Sequence, residues 1–134
     1  MPEITPAKTQ TQKTPQTPEI HHTHYTETHL KKLLYKTLKP FLNCYHRKLS
    51  NPFRAGILDF YILFEGRSVW LELKILPNKL TPLQKNEIQA IQRAGGFAYG
   101  VFAEPDLSAF YLYRKDFDII EYGDLITLLK GVLL

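Results

Sequence analysis

The sequence predicts one α/β domain with a mixed sheet: helix, three strands, helix, strand, then one further strand and a helix. Three observations predict it. Apolar residues recur at three- and four-residue spacing in three separate stretches, the signature of a helix with one buried stripe. Runs rich in β-formers lie between those stretches, bounded by Gly, Pro and Asn. The strand–helix–strand order over 69–103 suits a right-handed crossover to a parallel neighbour.

The chain has 134 residues, enough for one core and too few for two. Thr, Pro, Gln and Lys dominate residues 1–26, which have too little apolar surface to offset the cost of ordering. A disordered tail over 1–26 and a single domain over 27–134 are therefore expected. The formal charge is +4, from 17 Lys and Arg against 13 Asp and Glu, which suits a polyanionic partner without demanding one. A lone cysteine, Cys44, excludes a disulfide framework and a zinc ribbon and suits a reducing, cytosolic compartment. No apolar run approaches the ~20 residues of a membrane span, and no apolar signal segment is present. The expected location is the cytoplasm, the nucleoid, or a host cytoplasm if the chain is viral.

Taken in order, His21, His22, His24 and His29 precede the first helix and lack the partners that would fix a metal geometry. That helix begins near Glu27. Its stripe is Leu30, Leu33, Leu34, Leu38, Phe41 and Leu42, its other side carries Lys31, Lys32, Lys36 and Lys39, and Pro40 ends or kinks it. Residues 44–49 are a short first strand, and SNPFRAG is a loop. Ile57–Phe64 and Val69–Leu76 are two strands joined by Glu65-Gly66-Arg67-Ser68. Thr81-Pro82-x-Gln84 opens the second helix with an N-cap, a proline at its first position and a capping-box glutamine. Ile88, Ile91 and Ala94 form its apolar face, and Gly95-Gly96 ends it. Phe97–Ala103 is an apolar strand, Ala109–Arg114 an edge strand, and Asp124–Leu133 a final amphipathic helix. Asp106, Asp116, Asp118 and Asp124 are read as solvated or capping.

Three charges interrupt strands that ought to be buried: Asp59, Glu72 and Lys74. Burying an unpaired charge is costly, so they call for an explanation. Glu72 and Lys74, two apart, leave the same face of their strand. A turn centred between Gly66 and Arg67 places Asp59 opposite Lys74 and diagonal to Glu72, with facing Cβ atoms ~4.5–5.5 Å apart. Two carboxylates so placed repel unless a cation lies between them, and a hard divalent ion that keeps several waters fits. Lys74 can orient an attacking water or neutralise developing negative charge. Together these are the needs of metal-assisted phosphodiester hydrolysis. The plain structural alternative is a buried Asp59–Lys74 pair with Glu72 exposed.

With these residues the chain resembles the PD-(D/E)xK nuclease superfamily, and more narrowly its virus-type replication-repair (VRR-NUC) branch, found in phage-like and DNA repair proteins. The resemblance rests on Gly56 and Asp59 in GILDF, Glu72-Leu73-Lys74 in WLELK, LTPLQ at 80–84, and Ala94-Gly95-Gly96. It spans roughly residues 27–103. Leu58 stands where the family name records proline. The resemblance implies a restriction-endonuclease-like αβββαβ core. It implies Mg²⁺ or Mn²⁺ on Asp59 and Glu72, with the backbone carbonyl of Leu73 and, less securely, Glu27 as further ligands. Lys74 would position the water, and Gln84 would lie by the site, although a helix cap explains Gln84 equally well. Arg47, Lys48, Arg54 and Lys79 are candidate DNA contacts. Small members of this group are often homodimers. The edge strand at 109–114 and the last helix are candidate surfaces for that, though covering the sheet explains both.

The reading is therefore a metal-dependent deoxyribonuclease, selective for branched, flap or junction structure, since no recognition helix or zinc finger reads bases. The alternatives are a nucleic-acid-binding module that does not cut and a plain assembly protein.

Overall fold

The stripe Leu30, Leu34 and Leu38 is fully buried, and it seats helix α1 (Glu27–Leu38) on the sheet. Burying each such leucine contributes about 1.5–3 kcal/mol. The computed structural model describes residues 24–50 and 56–134. Residues 1–23 of the expected tail, with His21 and His22, and also Arg54, lie outside the described residues. Tyr25, on the tail side of the expected boundary, donates from its backbone to the carbonyl of Pro105. Thr26 caps α1 in a reciprocal box with His29, which accounts for that histidine without a metal. The stripe does not run as far as expected: the helix stops before Pro40, and Leu42 is exposed.

Six strands follow in sheet order β1 (Tyr45–Lys48), β2 (Phe60–Phe64), β3 (Arg67–Ile75), β4 (Phe97–Ala103), β5 (Phe110–Lys115) and β6 (Asp118–Tyr122). Every neighbouring pair is antiparallel except β3 and β4, which run parallel from Val69↔Phe97 to Ile75↔Ala103. Helix α2 (Pro82–Arg93) makes that crossover, and helix α3 (Leu125–Leu133) closes the chain. Helices α1 and α3 share one face of the sheet over Phe60, Ile62, Val69, Leu71, Leu73 and Val101. The α2 face has a smaller core of Leu58, Leu80, Ile88, Ala98 and Tyr113. Among the described residues no helix is long and apolar enough to cross a membrane.

Several expectations need correction. β2 begins at Phe60 rather than Ile57, because the chain bends at Asp59. The hairpin turn is two residues, Glu65-Gly66, both with positive φ (49° and 79°), as a tight primed turn requires. This pairs Phe64 with Arg67 and shifts the register by two residues from the expected one. Strand β6 was not expected, so Asp118 is a strand residue and β5 is interior rather than an edge. The two surfaces considered for self-association are thereby used within the fold. β5 is paired on both sides, and Leu125, Leu128, Leu129, Val132 and Leu133 of α3 are buried against the sheet.

Candidate active site

β2 ends while β3 runs on, and that mismatch makes the site. The last pair between them is Phe60↔Leu71, so residues 72–75 have no strand on that side. Their backbone donors take carboxylates instead. Leu73 N–H donates to Asp59 Oδ2 at 3.2 Å, and Ile75 N–H donates to Glu27 Oε2 at 2.9 Å. Asp59 is held in return, its own N–H donating to Glu72 Oε1 at 3.1 Å. Leu73 turns its N–H to the open edge, and the C=O of a strand residue points the same way as its N–H. Its carbonyl is thereby on the side of Asp59.

Asp59 consequently lies opposite Glu72, with Lys74 one pleat farther along, whereas the expected register put Lys74 opposite. A slip of two residues preserves every side chain's face, so the three groups still converge. Lys74 Nζ lies 3.8 Å from Glu72 Oε2. The alternative of an exposed Glu72 fails, since Glu72 is only 4% exposed. Burial, then the charge and hydrogen bond of Asp59, push its carboxyl up to about 8, against the opposing pull of Lys74. Lys74 beside Glu72 and Lys31, 3.9 Å from Asp59 Oδ1, do not offset the cost of burying Glu72 against a second carboxylate, and a further cation would relieve it.

The donor set fits a hard divalent ion: carboxylate oxygens and a carbonyl, with no cysteine or histidine. Among the described residues no group of three His, Cys, Asp or Glu side chains is placed to hold a metal. Asp59 and Glu72 would thus hold Mg²⁺ or Mn²⁺ with backbone and water completing the shell. Glu27 is not a third member of the pair. It accepts from Ile75 N–H and from Asn78 Nδ2 at 2.7 Å. Burial raises its pKa, but those two bonds and the charges of Lys74 and Lys31 outweigh it and keep the carboxylate ionised.

Gln84 is taken up in the cap of α2. Its Oε1 accepts from Thr81 N–H at 2.9 Å while its own N–H donates to Thr81 Oγ1, completing the capping box. Arg47 stacks over Tyr45 on exposed β1, Lys48 is exposed beside it, and Lys79 is exposed in the loop before α2. Sequence reasoning missed Lys31, whose Nζ is 3.9 Å from Asp59 Oδ1, and Asn78. A lysine on the solvated side of a helix gives no sign that it reaches back to the sheet. Gly56 fixes the entry to Asp59: its φ is +87°, and a Cβ there would come 3.0 Å from Leu83 Cβ at the start of α2.

No family model matches the chain, and no curated protein matches it. Solved structures similar to the chain include two nuclease-type folds. One is a VRR_NUC domain, 23% identical over 60% of this chain and 85% of that one, with a TM-score of 0.45. The other is Hjc, a Holliday junction resolvase of Archaeoglobus fulgidus, 14% identical over 78% of this chain and 90% of that one, with a TM-score of 0.47. The first bears the family name that the motifs of this chain resemble. At these scores neither likeness bears on function.

Proposed function

We propose that the chain is a metal-dependent nuclease that hydrolyses phosphodiester bonds of DNA, selecting its substrate by structure. The observation that supports this is the pairing of Asp59 with buried Glu72 at the open edge of β3, with Lys74 on the same face. Mg²⁺ or Mn²⁺ on the two carboxylates would supply Lewis acidity toward the phosphate. The chain's own groups do the rest. The N–H of Leu73 and the ammonium of Lys31 hold Asp59 in place. Lys74 offers its ammonium to the attacking water or to negative charge developing on the phosphate. Glu27 keeps the end of β3 from fraying by accepting from Ile75. A pure binding module has no use for two carboxylates facing a phosphate, which disfavours the non-cutting alternative.

Single-stranded, duplex, flap and four-way-junction DNA incubated with Mn²⁺ or Mg²⁺ test the reading. Cleavage by the wild type should fall at least about 100-fold in Lys74→Ala and Asp59→Ala, with circular dichroism unchanged. Equal cleavage by the variants would mean that the activity lies elsewhere.

A further inference from the structure

On the α2 face, the register carries Lys74 of β3 next to Phe102 of β4, and Phe102 next to Tyr111 of β5. One residue pair back, Gly100 lies between Glu72 and Tyr113. A Cβ on Gly100 would meet Leu80 and Phe102 at 3.2 Å and Tyr113 at 3.4 Å, so its bareness lets these side chains close over the sheet. Beyond them opens a cavity of about 600 Å³. Tyr113 is its floor, half-buried Phe102 and Tyr111 its walls, and Ile119 and Lys79 its exposed rim.

We propose that this cavity receives the base of an unpaired nucleotide in the DNA strand that lies over Lys74. The inference takes from the nuclease reading that a strand lies there. The two tyrosine hydroxyls are already used, Tyr111 donating to Glu104 at 2.7 Å and Tyr113 to Asp116 at 2.9 Å. The cavity thus offers ring faces and an aliphatic rim rather than spare tyrosine donors. Stacking of that kind accepts any base. Lys79 supplies positive charge at the rim for the flanking phosphate, while Lys85 is held by Asp116 at 3.1 Å and contributes less. A duplex keeps its bases stacked and cannot fill the cavity without unpairing one. A flap, gap or junction fills it at little cost. Structure selectivity then comes from the cavity rather than from base edges.

The probe is a single strand carrying 2-aminopurine, titrated without metal and read by fluorescence, against wild type and Ile119→Glu. Ile119 is 56% exposed on an edge strand, so the change is not expected to disturb the fold. Quenching of the base on binding to wild type, with affinity at least about tenfold weaker in Ile119→Glu, supports the proposal. Absent quenching, or equal quenching in Ile119→Glu, overturns it even if wild type cuts DNA and Lys74→Ala does not. Quenching without cleavage leaves the cavity standing and removes the nuclease reading. Sedimentation of the protein alone as a dimer in wild type and a monomer in Ile119→Glu would assign this face to a second copy and overturn the proposal.

Discussion

Strand β3 has two halves that face the same problem and solve it differently. From Arg67 to Leu71 its backbone is paired with β2, as in any hairpin. From Glu72 to Ile75 the partner strand is gone, and carboxylates from Asp59 and Glu27 accept the N–H groups of Leu73 and Ile75. The first half stabilises the fold by ordinary burial: Val69 and Leu71 are wholly buried between the sheet and its helices. The second half gathers carboxylates on the open side of β3, where burial and the neighbouring Asp59 push the Glu72 carboxyl up to about 8 despite Lys74. An interrupted ladder is thus enough to make an anionic site, because unpaired backbone donors attract acceptors.

The sharpest way to break the comparison is to alter adjacent residues on its two sides. Glu72→Gln keeps the shape and removes the charge, so cleavage should fall at least about 100-fold while the fold is kept. Leu71→Ala should do the reverse, lowering stability by about 2–5 kcal/mol in urea melts and leaving the cleavage of the remaining folded protein intact. Loss of cleavage in folded Leu71→Ala would mean the two halves are not separable.

Glu72→Gln also has a stability signature in metal-free buffer. The carboxyl of Glu72 titrates near 4.5 in the unfolded chain and near 8 in the folded one. Between those values the folded chain keeps a proton that the unfolded chain releases, so stability falls as pH rises across the window. Glutamine removes that loss. The variant should melt above wild type at pH 9 and level with it at pH 4. A wild type with no such pH dependence would show that the Glu72 charge is already compensated.

Glu27 sits on the boundary between structure and chemistry. Glu27→Ala strips the acceptor from Ile75 N–H and Asn78. It should cost about 1–3 kcal/mol in thermal or urea melts. Cleavage should fall about 10–100-fold, the range of a residue that steadies a ligand without being one. A loss as deep as that of Glu72→Gln would place Glu27 on the cation.

How much of this was legible in the sequence follows from which interactions are local. The faces of Asp59, Glu72 and Lys74 could be read because strand alternation survives the two-residue slip in register. The slip itself was hidden in Glu65, which takes a left-handed conformation more usual for Asn or Gly, so a longer turn was the natural expectation. β6 was hidden because Asp118 and Glu121 break its apolar pattern, and Ile119 and Ile120, on opposite faces of this edge strand, are both exposed, so neither face reads as buried. Glu27 and Ile75 are 48 residues apart, and Lys31 meets Asp59 only once α1 has docked, so no local pattern encodes either contact.

The smallest expected effect concerns Gln84, where a local signal and a family resemblance compete for one side chain. Its Oε1 is 2.9 Å from Thr81 N–H, a bond that satisfies one of the orphan donors at the start of α2. Gln84→Ala should therefore cost only about 0.3–1.5 kcal/mol, seen as a lowered melting temperature. Cleavage per folded molecule should not change. Gln84→Glu keeps the acceptor and adds a negative charge at the helix N-terminus, so it should restore the stability and again leave cleavage alone. If instead both variants lose cleavage while Gln84→Glu regains stability, the side chain must leave its cap when DNA binds. The difference between the halves of β3 would then extend to the first turn of α2.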